Sequence, residues 1–294
     1  MTHITICICT FKRPELLSRT LVGIPRLDTG GRFSVSVVVA DNDRSESARA
    51  TVEAFGRDSG VPTMYCVEPE QNIALARNRA LSHASGDFVA FIDDDEFPEP
   101  GWLLTALDAC DEGVAGVLGP VRPHFDETPP GWLIRGHLCD RPEFPTGTTL
   151  GWRQTRTGNV LLRRSVFQGA DAFRKEFGGG GEDQDFFRRM MERGNRFIWC
   201  NEAVVYEIVP PERRTRSYFW KRALLRGQNE KLLLSAKSIA KSTAAVAGYL
   251  VVLPVAAATG QHHFMNYSIR LLDHAGKLMA AVGISPVRGK YLYE

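Results

Sequence analysis

The sequence predicts an α/β protein with a Rossmann-like, mainly parallel sheet. Short β-rich runs alternate with amphipathic stretches through the first 120 residues, as happens when crossover helices join parallel strands. Several of those runs end in polar residues, and no internal repeat points to a solenoid or propeller.

Ile4 to Thr10 reads as the first strand, and Pro14 suits the first turn of a helix over Glu15 to Ile24. Ser34 to Ala40 is a Val-rich strand, Ser47 to Asp58 a second helix and Thr63 to Val67 a third strand. Asn72 suits the cap of a helix running to about His83, and Phe88 to Ile92 is a short apolar strand that stops at Asp93-Asp94-Asp95-Glu96. Residues 120–157, rich in Pro and Gly without a clear period, read as a long functional loop. Beyond it, Asn159 to Leu162 is strand-like, Gly178 to Gly181 a flexible hinge, Gln184 to Arg193 helical, and Phe197 to Cys200 and Ala203 to Ile208 further strands. A basic helix spans about Arg216 to Leu234. The expected domains are 1–235, with halves 1–119 and 120–235, and a helical extension at 236–294.

With 44% hydrophobic and 24% charged residues, the 294-residue chain is far from disordered or fibrous compositions. Its 36 basic and 34 acidic residues leave +2, so no polyanion-coating surface is implied and nucleic acid is not required as a partner. The six cysteines form neither a C-x-x-C pair nor a zinc spacing, so reduced thiols and a cytoplasmic location are expected. The first residues lack a basic and then apolar secretion signal.

Open α/β sheets bind ligands beyond the carboxyl ends of their strands. Here those ends carry Thr10-Phe-Lys-Arg13, Asp41-Asn-Asp43 and the acids at 93–96. One such end is as readily a turn; three together point to a site. Three successive aspartates repel one another, so they read either as a solvated acidic turn or as the seat of a hard divalent cation. Mg²⁺ and Mn²⁺ need only one or two carboxylates when a phosphorylated substrate supplies further oxygens. No G-x-x-x-x-G-K-[ST] run or G-x-G-x-x-G is present, so a diphosphate would be held by the metal, Arg13 and the helix near Ile73 with Arg77 and Arg79, unless that face is simply exposed. Four glycines precede Glu182, Asp183 and Asp185. They imply close backbone approach to a ligand or a moving loop, and the acids suit either a cap or a general base.

In the order of its motifs the chain resembles the family 2 glycosyltransferases, inverting enzymes with a GT-A fold, and among them the bacterial succinoglycan type. The elements are ICICTFKRP, VVADND at 38–43, QNIALARNRAL at 71–81, FVAFIDDDEFPEPGWL at 88–103, GNVLLRR at 158–164 and GGGEDQDFFRRM at 179–190. The resemblance implies that Thr10, Arg13, Asp41 and Asp43 meet the nucleotide, with Arg77 near its base or diphosphate. Asp93 to Asp95 stand as the D-x-D element, with Asp95 as metal ligand to Mn²⁺ or Mg²⁺ and Asp93 or Asp94 on the ribose or sugar. Asp183 stands as catalytic base, with Glu182 and Asn159 toward the acceptor. Two departures are Asp41-Asn-Asp43 in place of Asp-Asp-Gly-Ser and Glu207 where many relatives have His. Glu207 is open between metal ligand, partner of Arg213 or Arg214, and structural acid. The implied partners are a nucleotide diphosphate sugar, preferentially UDP-linked, and a glycan or polyprenyl-linked saccharide. The competing functions are a non-catalytic sugar-nucleotide binder and a metal-dependent nucleotidyltransferase.

Basic residues interleaved with Tyr218, Phe219 and Trp220 lead into Ser242 to Gln261, twenty residues without a formal charge. With Pro254 inside it, this stretch is expected to form an interfacial hairpin at an anionic membrane or to be buried, followed by an amphipathic helix from Phe264 to Val282.

Overall fold

The structure is a computed structural model that describes residues 1–167, 172–178, 180–229 and 235–284. It contains two compact units, Met1–His124 with Arg141–Ile208, and Phe125–Asp140 with Val209–Glu294. The division after Ile208, and the pairing of 125–140 with the C-terminal helices, differ from the expected boundary at 235.

In the first unit, β1 (Thr2–Thr10), α1 (Pro14–Gly23), β2 (Phe33–Asp41), α2 (Arg49–Asp58), β3 (Thr63–Val67), α3 (Ile73–His83) and β4 (Phe88–Phe91) follow the expected alternation. β5 (Glu96–Pro98), α4 (Trp102–Ala109), β6 (Val114–Leu118) and β7 (Val121–His124) come next. In the second unit lies α5 (Gly131–Arg135), and the first unit resumes with β8 (Val160–Arg163), α6 (Glu182–Glu192), β9 (Arg196–Trp199) and β10 (Val205–Ile208). The main sheet runs β3-β2-β1-β4-β8-β6-β9, parallel except where β8 lies antiparallel to β4 and β6. A small sheet, β5-β10-β7, stands beside the acidic turn in sequence.

Alternation along β1 places side chains on the two faces of the sheet. Ile4, Ile6 and Ile8 pack with Leu17, Leu21 and Trp102, whereas Cys7 joins Val89, Phe91, Phe173 and Phe186. Helices cover both faces, so β4 is buried throughout and β1 over most of its length, and both read as apolar runs. Asn72 caps α3 as expected, its Oδ1 accepting from Ala74 N at 3.0 Å and Leu75 N at 3.2 Å.

The second unit is helical, with α7 (Arg216–Asn229), α8 (Ala236–Thr259) and α9 (Gln261–Ala281). The expected basic helix is described as far as Asn229; residues 230–234 lie outside the described residues. Trp132, Leu133, Phe219 and Met265 form its core. α7 and α9 meet through glycine: a Cβ on Gly276 would fall 2.5 Å from Leu224 O, and one on Gly227 2.3 Å from Asp273 O. The expected hairpin within 242–261 is corrected. α8 continues through Pro254, and the reversal comes at Gly260, where φ is +149°. Proline removes a single intrahelical donor, which α9 packed along α8 outweighs.

Candidate active site

β1, β2 and β4 are neighbours in the order β2-β1-β4, where the direction of strand succession reverses. Their carboxyl ends supply Thr10, Asp41 and the Asp93–Asp95 turn, at the position where open α/β sheets bind ligands.

Asp94 is the buried centre of that turn. Its Oδ2 accepts from the Thr10 hydroxyl at 2.8 Å, and Arg13 Nη1 lies 3.2 Å from its Oδ1 and 3.5 Å from Asp95 Oδ2. The Thr20 hydroxyl of α1 donates to the Asp94 carbonyl at 2.9 Å and pins the backbone. Burial pushes the Asp94 carboxyl up to about 7; Arg13 opposes the shift and Asp95 adds to it. Ionised Asp94 is thus disfavoured by folding, a cost present at pH 8 and relieved as pH falls through 7 toward the unfolded value near ~4. The melting temperature of the metal-free protein is expected to gain, between pH 8 and pH 5.5, a component that Asp94→Asn lacks. Equal pH profiles for the two proteins in thermal denaturation would remove Asp94 from this role.

Asp93 is more open, its side chain 45% exposed. Behind it Glu96 is fully buried, its Oε2 accepting from Asp93 N at 3.1 Å while Oε1 has no hydrogen-bond partner. Burial and the nearby Asp93 charge hold the Glu96 carboxyl far above the usual range. Gly158 leaves this space open: a Cβ there would lie 2.9 Å from both Asp93 Oδ2 and Glu96 Oε1. A hard cation fits such oxygen-rich surroundings. Among the described residues no three His, Cys, Asp or Glu side chains converge as a complete cage, so a bound ion would take part of its shell from substrate or water.

The other wall is the start of α6. Gly181 precedes it with φ +91°, and Glu182, Asp183 and Asp185 occupy its first turn, where the helix dipole favours anions. The glycine run has a local explanation. A Cβ on Gly178 would collide with the Asn72 side chain at 2.0 Å, and Gly180 and Gly181 have φ of +126° and +91°. Close approach is therefore real, but it is to Asn72; Gly179 of the expected hinge lies outside the described residues. Asn72 Nδ2 donates to Lys175 O at 2.9 Å, and Asn78 exchanges hydrogen bonds with the Phe173 backbone at 2.7 and 3.0 Å. These bonds dock the loop before α6 on α3.

Arg77 joins the two walls. Its side chain is 8% exposed, donates to Glu182, lies 3.7 Å from Asp93 Oδ1 and covers the Phe173 ring at 5.8 Å. Glu182 Oε2 has no partner and burial raises its carboxyl, with Arg77 opposing. Asp183 is raised too, chiefly by burial and in part by Asp93, against Arg77. Asp185 is taken up by Arg189 at 2.8 Å.

The profile described as Glycosyl transferase family 2 matches residues 5–170, more than half of the chain and the part that carries the acidic turn. The chain belongs to glycosyl transferase family 2. Among family 2 relatives, the Succinoglycan biosynthesis protein ExoM of Rhizobium meliloti is 34% identical over 97% of this chain and 94% of its own length. Of solved structures, mannosyltransferase PcManGT from Pyrobaculum calidifontis, in complex with GDP-Man and Mn²⁺, matches with TM-score 0.63 and 18% identity over 94% of this chain and 86% of that one. S. aureus TarS 1-349 in complex with UDP matches with TM-score 0.55 and 16% identity over 97% and 93%. The protein is thus a glycosyltransferase with the GT-A fold.

Several side chains that the family 2 resemblance directs to ligands have other work here. Asp41 is fully buried and accepts from Asp43 N at 3.0 Å, Ala48 N at 2.8 Å and the Tyr65 hydroxyl at 2.9 Å, so it shapes the loop after β2 and presents no surface to a base or ribose. Asp43, 6% exposed, accepts from Ser45 N and its hydroxyl in the same loop. Asn159 is 1% exposed; its Oδ1 accepts from Trp102 Nε1 at 2.7 Å, and its Nδ2 donates to Pro120 O and Ala203 O. It braces the sheet instead of facing an acceptor. Glu207 pairs with Arg141 and sits across the β5–β10 ladder from Glu96, where two carboxylates need a cation between them. Arg141 and Arg156 escaped the sequence reading, and Glu96 entered it only as the last of the acids at 93–96. Burial and the like charge of Arg141 bring Arg156 down to about 10. Their only signal is charge inside an aperiodic, Pro-rich stretch or at the tail of an acidic run.

Proposed function

We propose that this family 2 enzyme is an inverting, metal-dependent transferase. It moves a sugar from a nucleoside diphosphate sugar, preferentially a UDP-sugar, to a hydroxyl of a glycan or lipid-linked saccharide in exopolysaccharide synthesis. The observation that carries the reading is Arg77, which bonds Glu182 at the start of α6 and approaches Asp93 in the turn after β4. It ties the start of α6, which carries the candidate base, to the carboxylate-rich turn. Inversion by direct displacement needs both: a base for the acceptor proton and a charge stabiliser for the departing diphosphate.

Asp183 takes the proton of the acceptor hydroxyl, its basicity raised by burial. A second, protonated carboxyl is not needed, because the leaving group is already anionic. Thr10 and Arg13 meet the nucleotide, and Asp93 and Asp95 would hold Mn²⁺ or Mg²⁺. Such an ion, when bound, offsets the charge of the leaving diphosphate. The UDP complex of TarS, the GDP-Man and Mn²⁺ complex of PcManGT and the role named for ExoM support donor class, metal and pathway. The protein works in the cytoplasm, peripherally at the inner face of the cell membrane. The apolar α8 and the basic residues around it support that location.

A panel of UDP- and GDP-sugars with Mn²⁺ and a saccharide acceptor is expected to release nucleoside diphosphate from one donor, and EDTA is expected to abolish the release. Release of monophosphate would instead assign nucleotidyl chemistry, and binding without turnover would assign a non-catalytic role.

A further inference from the structure

Arg226 of α7, Tyr249 of α8 and Arg270, Asp273, His274 and Lys277 of α9 line a cavity of about 230 Å³. That is below the roughly 300–1,000 Å³ of pockets that enclose drug-sized ligands, and it suits a headgroup-sized anion. Three cations and one carboxylate leave a formal +2 there. Asp273 Oδ1 and Oδ2 accept from Arg226 Nε and Nη2, at 3.0 and 2.9 Å, which fixes the guanidinium in the lining. In the same lining Tyr249 stacks on His274 with ring centroids 6.0 Å apart, and His274 Nδ1 lies 3.1 Å from Ser242 Oγ. Guanidinium and ammonium groups converging on one cavity select phosphate or carboxylate.

Directly after Tyr249, α8 turns apolar side chains outward: Leu250 is 58%, Val251 77% and Val255 65% exposed. No residue from 242 to 259 carries a formal charge, and among described residues from 216 to 284 eight Lys and Arg face one acid, Asp273. α8 is long and apolar enough to cross a bilayer, but α9 packs along it with Arg270, Asp273 and Lys277 and would carry those charges in. Such a helix lies in the interface.

We infer that this cavity, with its net positive lining, holds the phosphate of an anionic membrane-lipid headgroup, without the choline cation of a zwitterionic one, while Leu250, Val251 and Val255 enter the acyl boundary. The inference rests on the peripheral-membrane part of the proposed function and not on the transfer chemistry. Full-length protein is sedimented with phosphatidylcholine vesicles with and without phosphatidylglycerol, alongside Arg270→Gln/Lys277→Gln and Val251→Asn/Val255→Asn. Wild type is expected to partition onto the anionic vesicles. Losing two cations is expected to weaken that about twenty-fivefold, at roughly fivefold each. The valine variant is expected to detach at the same lipid composition, both variants keeping the wild-type melting temperature and nucleotide-sugar binding. Wild-type binding that ignores phosphatidylglycerol, or that the Gln variant retains, overturns the pocket and leaves the membrane reading standing. No vesicle binding overturns both, and leaves donor turnover to be judged separately. Should a variant not fold, titrating wild type with inorganic phosphate decides: competition with anionic vesicles supports the site, and phosphate binding without vesicle binding assigns a soluble ligand and sinks the lipid.

Discussion

Replacing Asp183 by Asn is expected to lower kcat about a thousandfold, within the range for loss of a positioned base, while the donor Kd changes by less than about threefold. The amide keeps the shape of the first turn of α6 and can still accept from Gln184 N, the bond made by Asp183 Oδ1 at 2.7 Å. It cannot take a proton. Burial raises the Asp183 carboxyl, so the acid limb of the wild-type kcat profile should lie above the ordinary carboxylate range near ~4. The sign follows from the base role: only the ionised form works, so activity is lost as pH falls through the raised pKa. Calorimetry for donor binding and steady-state kinetics for transfer test this together. A variant retaining a tenth of wild-type kcat would exclude Asp183 as base.

The second large effect concerns stability. Arg77→Met is expected to cost about 3–5 kcal/mol, because it strands Glu182, 6% exposed at its side chain, with no cation and one oxygen already unpartnered. Neutralising the survivor as well, in Arg77→Met/Glu182→Gln, should restore more than half of that loss in urea unfolding. The single variant should also move the acid limb of kcat upward, since Arg77 is the main charge opposing the rise of Asp183. A stability loss under about 1 kcal/mol would mean that solvent screens the pair, as it does for surface bridges.

The parts of this molecule that read correctly from sequence are those governed by short-range rules. β1, β2 and β4 are apolar because helices cover both their faces, α3 starts at Asn72 because its side chain caps the helix, and acids follow β4 because the carboxyl end of a central strand is where ligands are met. The same rules misjudged Pro254, because a helix loses one donor at proline yet is held by its neighbour α9. They also misjudged the glycines before α6: the need for Gly178 comes from Asn72, over a hundred residues earlier in the chain, and that for Gly180 and Gly181 from positive φ.

Residue roles divide in the same way. That Thr10, Asp41, Asp93–Asp95 and Glu182–Asp183 belong near one another follows from their places at strand and helix ends. Which of them remain available was decided by long-range contacts. Tyr65 and the loop backbone consume Asp41, Trp102 consumes Asn159, and Arg141 answers Glu207. A linear pattern fixes where a carboxylate leaves the backbone, but its charge, partner and solvent access depend on groups that only the folded sheet brings within a few ångströms of it.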